Sequence, residues 1–233
     1  MKTKVITVND VSKKYPGVWA LNGVSFNVLK GTVLGVLGEN GAGKSTLFRI
    51  MASVTRQTKG SVTINGHSVG LETREIVAFL PEVNPFYEWM KVMEQMEFLA
   101  AFYDGWDMDK TRELLKFLTV KDNVKIGTLS RGQQAKLKIV FAFSWPSQVV
   151  IMDEPLGGID PPARKKIINT LFSEFRFGEQ TIVMSTHLVN EVEEFVEDVI
   201  YLKEGRIVIA GEADRLREEK GTSLVGIFEE IAG

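Results

Sequence analysis

A chain of 233 residues, 44% hydrophobic and 25% charged, is long enough to bury one sizeable core, which excludes disordered and fibrous architectures. A formal net charge of −2 gives no electrostatic pull toward nucleic acid, so no nucleic-acid partner is expected, and the absence of cysteine excludes disulfides, thiol catalysis and cysteine-ligated metals. The amino terminus mixes charge into every few residues, and no apolar run approaches the roughly 20 residues that span a bilayer, so a soluble, cytoplasmic chain is expected whose membrane role passes through other chains.

Three β-type runs open the chain: Val5–Val8, Val24–Val28 and Thr32–Leu37. The last is apolar enough to be buried on both faces of a sheet. It leads directly into GENGAGKST and then LFRIMASV, a strand, a glycine loop and a helix. In GSVTINGHS, Gly60 to Ser68, the pair Asn65-Gly66 signals a hairpin, and His67 reads as a surface residue. A short strand, Ile76–Leu80, stops at Pro81. From Met90 to about Phe143 only helical spacing is found, which predicts a helical insertion of roughly fifty residues. The strand VVIMDE follows, then a helix from Pro161 to Phe175, the strand TIVMST, a helix after His187, and a hairpin in DVIYLKEGRIVIAG turning at Glu204-Gly205. A charged helix, a glycine break and a short amphipathic helix close the chain. Alternation of β and α on both sides of the insertion predicts one α/β domain with a helical subdomain.

Gly38, Glu39, Asn40, Gly41, Ala42, Gly43, Lys44 and Ser45 match G-x-x-x-x-G-K-[ST], with Thr46 following. Glycines let the backbone wrap so that successive N–H groups face phosphate oxygens. The helix that starts near Lys44 aims the positive end of its dipole at the same anion. Lys44 brings a mobile charge to the β- and γ-phosphates, and Ser45 a hydroxyl to Mg²⁺.

VVIMDE ends with Asp153 and Glu154 at the carboxyl end of an apolar strand, where α/β sheets collect ligands. There Asp153 can hold Mg²⁺, directly or through water, while Glu154 orients or deprotonates an attacking water. His187 follows a second apolar strand and is expected at the same sheet edge, within reach of the γ-phosphate.

Together these residues resemble the ATP-binding subunit of an ABC transporter, along nearly the whole chain. GENGAGKST resembles that family's Walker A loop, VVIMDE its Walker B strand, LSRGQ its signature loop, GGID its D-loop and STH its switch histidine. The resemblance implies a P-loop NTPase of ABC type: a RecA-like parallel-sheet core, an antiparallel β subdomain and a helical insertion at about residues 84–144 within a single domain of residues 1–233. It implies that Tyr15 stacks on adenine and that Glu82, where the family has glutamine, stands near Mg²⁺ or the water. It also implies that Ser130, Gly132 and Gln133 meet the nucleotide held by a second ATP-binding subunit, identical or homologous, and that Asp160 of the D-loop is a nucleotide-binding residue. Arg131 replaces the first glycine of the usual signature. FLPEVNPFYEWM, LSRGQQAKL and SLVGIFEEIAG look like the ABC-2-type exporter subgroup. The implied machine is an ATPase on the cytoplasmic face of the membrane, held there by separate permease subunits. The alternatives are an ABC-type ATPase of DNA repair or translation, and a regulatory nucleotide-binding subunit.

Overall fold

Residues 3–157, 159–175, 179–186 and 189–232 are described by a computed structural model. His187, an expected site residue, lies outside them.

The first two strands, β1 (Lys4–Tyr15) and β2 (Val18–Leu29), form one long antiparallel hairpin. Both extend well beyond the short runs that the sequence suggests. Register shifts along the pair, and Asp10 at φ 47°, break the two-residue alternation that would have shown their length. After β3 (Val33–Leu37) and α1 (Lys44–Met51) come β4 (Lys59–Ile64) and β5 (His67–Ser68). The expected turn between them is present, with Asn65 and Gly66 both at positive φ. A single helical turn, α2 (Leu71–Arg74), leads to β6 (Val77–Leu80).

Then follow α3 (Val92–Ala100), α4 (Met108–Phe117), a 3₁₀ turn at Ile126–Thr128 and α5 (Arg131–Phe143). Among the described residues no strand lies between β6 and the next strand, β7 (Val149–Asp153), in agreement with the helical spacing. The rest comprises α6 (Pro161–Glu174), β8 (Thr181–Ser185), α7 (Val189–Val192), β9 (Asp198–Lys203), β10 (Arg206–Glu212), α8 (Ala213–Lys220) and α9 (Leu224–Ala232). Gly221 caps α8 at φ 66°, the expected glycine break.

The strands form two sheets, a mixed one ordered β10-β9-β3-β8-β7-β6 and an antiparallel one ordered β2-β1-β4-β5. In the first, the run from β9 to β6 is parallel, with β10 antiparallel at the edge. Strands β3, β7 and β8 are buried at every residue. Their apolar runs split by alternation between two cores. Val33, Leu37, Val150, Met152, Ile182 and Met184 pack toward α5 and α6. Leu34, Val36, Val149, Ile151 and Val183 pack toward α1 and the antiparallel sheet. Each fully buried aliphatic side chain contributes about 1.5–3 kcal/mol, so these strands are held rigidly, and the loops at their carboxyl ends start from fixed positions.

Candidate functional site

The loop between β3 and α1 needs glycine for two separate reasons. Gly38 and Gly43 lie at φ 147° and 107°, where side chains are strained. Both also approach other backbone, so that an added Cβ would collide with the carbonyl oxygen of Leu202 at Gly38 and of Ala20 at Gly43. The β9–β10 turn braces the loop further. The Gly205 N–H donates to the Ala42 carbonyl (3.0 Å), and the Asn22 N–H donates to the Gly205 carbonyl (2.8 Å).

Over this loop opens a cleft of 390 Å³ walled by Glu39, Asn40, Gly41, Gly43, Lys44, Ser45 and Thr46, with Ala20, Glu82, Glu154 and Gly157 completing it. The Lys44 ammonium donates to the carbonyls of Gly38 (2.7 Å) and Glu39 (3.1 Å), and lies 3.7 Å from Glu154 Oε1. Gly38, Ala42 and Asp153 are not part of the wall, and Asp153 is buried, 2% exposed.

The two carboxylates are set by one hydroxyl that the sequence reading did not single out. Strands β7 and β8 pair in parallel with Asp153 opposite Ser185. The Ser185 hydroxyl donates to Asp153 Oδ1 (2.8 Å) and accepts from the Glu154 N–H (2.9 Å). Glu154 itself stands at φ 47°, a left-handed conformation uncommon outside glycine, which lets its side chain enter the cleft directly after the strand ends.

The donors suit nucleotide with magnesium. Among the described residues no three histidine or acidic side chains converge on one metal position. A divalent cation here would rest on one hydroxyl, one or two carboxylates and the nucleotide's own phosphates, the hard oxygen set that Mg²⁺ takes.

Ser130, Gly132 and Gln133 do not line this cleft. Ser130 is the exposed N-cap of α5, in a reciprocal capping box: the Gln133 N–H donates to Ser130 Oγ (3.3 Å) and the Ser130 N–H to Gln133 Oε1 (2.9 Å). A Cβ on Gly132 would stand 3.7 Å from Ile159 of the Gly157–Asp160 stretch, and Asp160 is exposed beside it in sequence. Arg131 is the exposed first residue of α5. Tyr15 ends β1 opposite Val18, 36% exposed, with the Lys13 ammonium 5.1 Å from its ring centroid. It is not on the cleft wall, although Ala20, two residues past its strand partner, is.

A second residue missed in the sequence is Lys138, the buried one of the two lysines of α5. Its ammonium donates to the carbonyls of Pro81 (2.6 Å) and Glu82 (2.7 Å). Burial pulls its pKa down to about 8, against the opposing pull of the Glu82 and Asp153 carboxylates.

A P-loop at the end of β3, with paired acidic residues at the end of β7 one strand beyond its neighbour β8, defines a nucleoside-triphosphate-binding cassette. The sequence profile of the family described as ABC transporter matches residues 21–157, and the chain belongs to that family. The Nod factor export ATP-binding protein I of Rhizobium sp. (strain N33) is 31% identical over 238 residues, covering 98% of this chain and 78% of that protein. The uncharacterised ABC transporter ATP-binding protein YhaQ of Bacillus subtilis is 28% identical, covering 97% of this chain and 77% of that protein. The ABC transporter ced-7 of Caenorhabditis elegans is 32% identical over 214 residues, but the chain spans only 12% of its length. A solved ATP-binding subunit of an ABC transporter superposes with a TM-score of 0.84 at 27% identity, covering 98% of this chain and all of that one. The chain is therefore an ATP-binding, ATP-hydrolysing subunit of the kind that powers membrane transport. Cassettes of this family work as dimers with transmembrane subunits. Among the described residues no helix is long and apolar enough to cross a membrane.

Proposed function

We propose that the chain drives an ABC-2-type exporter by closing head to tail with a second ATP-binding subunit, identical or homologous, around two ATP molecules. The observation that carries this reading is the separation of two half-sites. The cleft supplies the loop, Lys44 and the carboxylates, while the capped end of α5 stands off the cleft wall, with Ser130 exposed and Gly132 and Gln133 half-buried. Free N–H groups at such a helix start suit the γ-phosphate of a nucleotide held by another chain.

In this reading the loop N–H groups and Lys44 bind the phosphates, and Tyr15 stacks on adenine. Glu154 orients and deprotonates the attacking water, with Glu82 and His187 near the γ-phosphate and Asp160 at the subunit boundary. Mg²⁺ held by Ser45 and Asp153 supplies positive charge to the β- and γ-phosphates. Loss of the γ-phosphate removes the bridge between subunits and reopens the dimer. Residues about 84–144 act as a subdomain that relays this motion. An exposed aromatic chain there, Trp89–Tyr87–Phe98–Phe102, with centroids of successive rings 5.1–5.9 Å apart, is a surface suited to a permease partner on the cytoplasmic face of the membrane. The exporter direction is supported by the likeness to the Rhizobium Nod factor export ATP-binding protein.

The test is Glu154→Gln in the full chain. ATP binding survives, turnover falls by about 10²-fold or more, and an ATP-dependent dimer accumulates on size-exclusion chromatography. Turnover at the parent rate would remove Glu154 from its assigned role.

A further inference from the structure

We propose that Lys138 is a positioning residue of the ATPase site: its ammonium holds the Pro81–Glu82 backbone against α5, and so sets where the Glu82 carboxylate stands in the cleft. The inference rests on the reading of that cleft as the ATPase site.

Lys138 is 8% exposed, and both bonds reach across the fold to the two residues that follow β6. A buried ammonium is tolerated only where acceptors take its protons, and an apolar side chain of similar length would fill the space without that desolvation. Lysine at this position therefore does something that filling the space does not require. It supplies charge-assisted donors to two adjacent carbonyls, and such bonds fix geometry more firmly than neutral ones.

The arrangement separates the two parts of Glu82. Its main chain is pinned to α5, while its side chain is exposed on the cleft wall. The Glu82 carboxylate moves freely through its own rotamers, whereas a larger displacement of its backbone breaks these bonds or draws the Lys138 side chain along. Ser130 caps the same helix, eight residues away and so about 12 Å along its axis. The cleft of one subunit and the exposed helix end that faces the second nucleotide are then joined through one side chain.

The test compares Lys138→Met, Lys138→Gln and Lys138→Arg in the full chain. A fluorescent ATP analogue reports affinity, and phosphate release gives kcat and KM. For Lys138→Met, kcat falls at least about tenfold while KM and the analogue affinity stay within about threefold, and Lys138→Arg brings kcat back to within about threefold of the parent. If the methionine variant does not fold, Lys138→Gln, whose amide reaches one carbonyl without charge, is read in its place and loses kcat at unchanged KM. The role is overturned if kcat in the variant read stays within about twofold of the parent, or if arginine restores nothing. Undiminished analogue binding by Lys44→Ala would overturn the reading of the cleft itself. Binding lost in Lys44→Ala alongside a kcat indifferent to Lys138 overturns the positioning role alone.

Discussion

Replacing Ser185 by alanine removes a single oxygen from a place with no water to replace it. Ser185 is 0% exposed and Asp153 2%, and the hydroxyl serves both an acidic acceptor and the backbone N–H of the next residue. A hydrogen bond to a charged group contributes about 1.5–3 kcal/mol and a neutral one about 1 kcal/mol, so the substitution costs about 3 kcal/mol. For a chain of this size each kcal/mol moves the melting point by about 2–4 °C, which gives a fall of about 6–12 °C. Turnover should suffer too, by about tenfold, because the carboxylate and the left-handed Glu154 lose the group that sets them relative to one another. Thermal unfolding followed by tryptophan emission, with phosphate release measured well below the transition, reads both effects. A melting point within about 2 °C of the parent and an unchanged kcat would show that the hydroxyl sets nothing at this site.

Lys44→Ala should lower ATP affinity by about 10–100-fold in a fluorescent-nucleotide titration, the loss expected for charged hydrogen bonds to phosphate. Tyr15→Ala should cost at most about tenfold in the same titration, since its ring is exposed and off the cleft wall. Arg131→Gly should leave ATPase activity within about threefold, because an exposed cation at a helix start is not favoured by the dipole and replaces no cap. Ser130→Arg should abolish turnover, since the cap and the smallest approach to α5 are both lost.

The phosphate loop was legible because its chemistry is local. Eight successive residues, preceded by an apolar strand, carry the whole pattern, and the collisions at Gly38 and Gly43 show why it is written with glycine. Strands β3, β7 and β8 were legible for a similar reason, because burial on both faces leaves a continuous apolar run. Strands β1 and β2 were seen only in part. Near their turn, buried Val11 and Leu21 alternate irregularly with exposed Lys14, Tyr15, Val18 and Trp19, and the bulges break the two-residue pattern. Ser185 and Lys138 were not legible as site residues at all. Ser185 acts on a carboxylate 32 positions earlier, which the parallel register of two strands brings alongside. Lys138 acts on carbonyls 56 and 57 positions earlier, and a backbone acceptor leaves no side-chain signature in the sequence.

The two glycine hairpin tips, Asn65-Gly66 and Glu204-Gly205, share a backbone geometry but differ in what surrounds them. A side chain built at Gly66 would touch nothing within 4 Å, whereas one at Gly205 would press on Ala20 and Leu21. Exposed hairpin tips are ordinarily the first choice for inserting an affinity tag or attaching a dye. Here that choice divides. A tag at Gly66 projects into open solvent, while one at Gly205 breaks the link to Ala42 and loosens the phosphate loop from behind. Labelling intended only to follow the protein belongs at Gly66; an environment-sensitive dye near Gly205 would turn the same hairpin into a gauge of nucleotide binding.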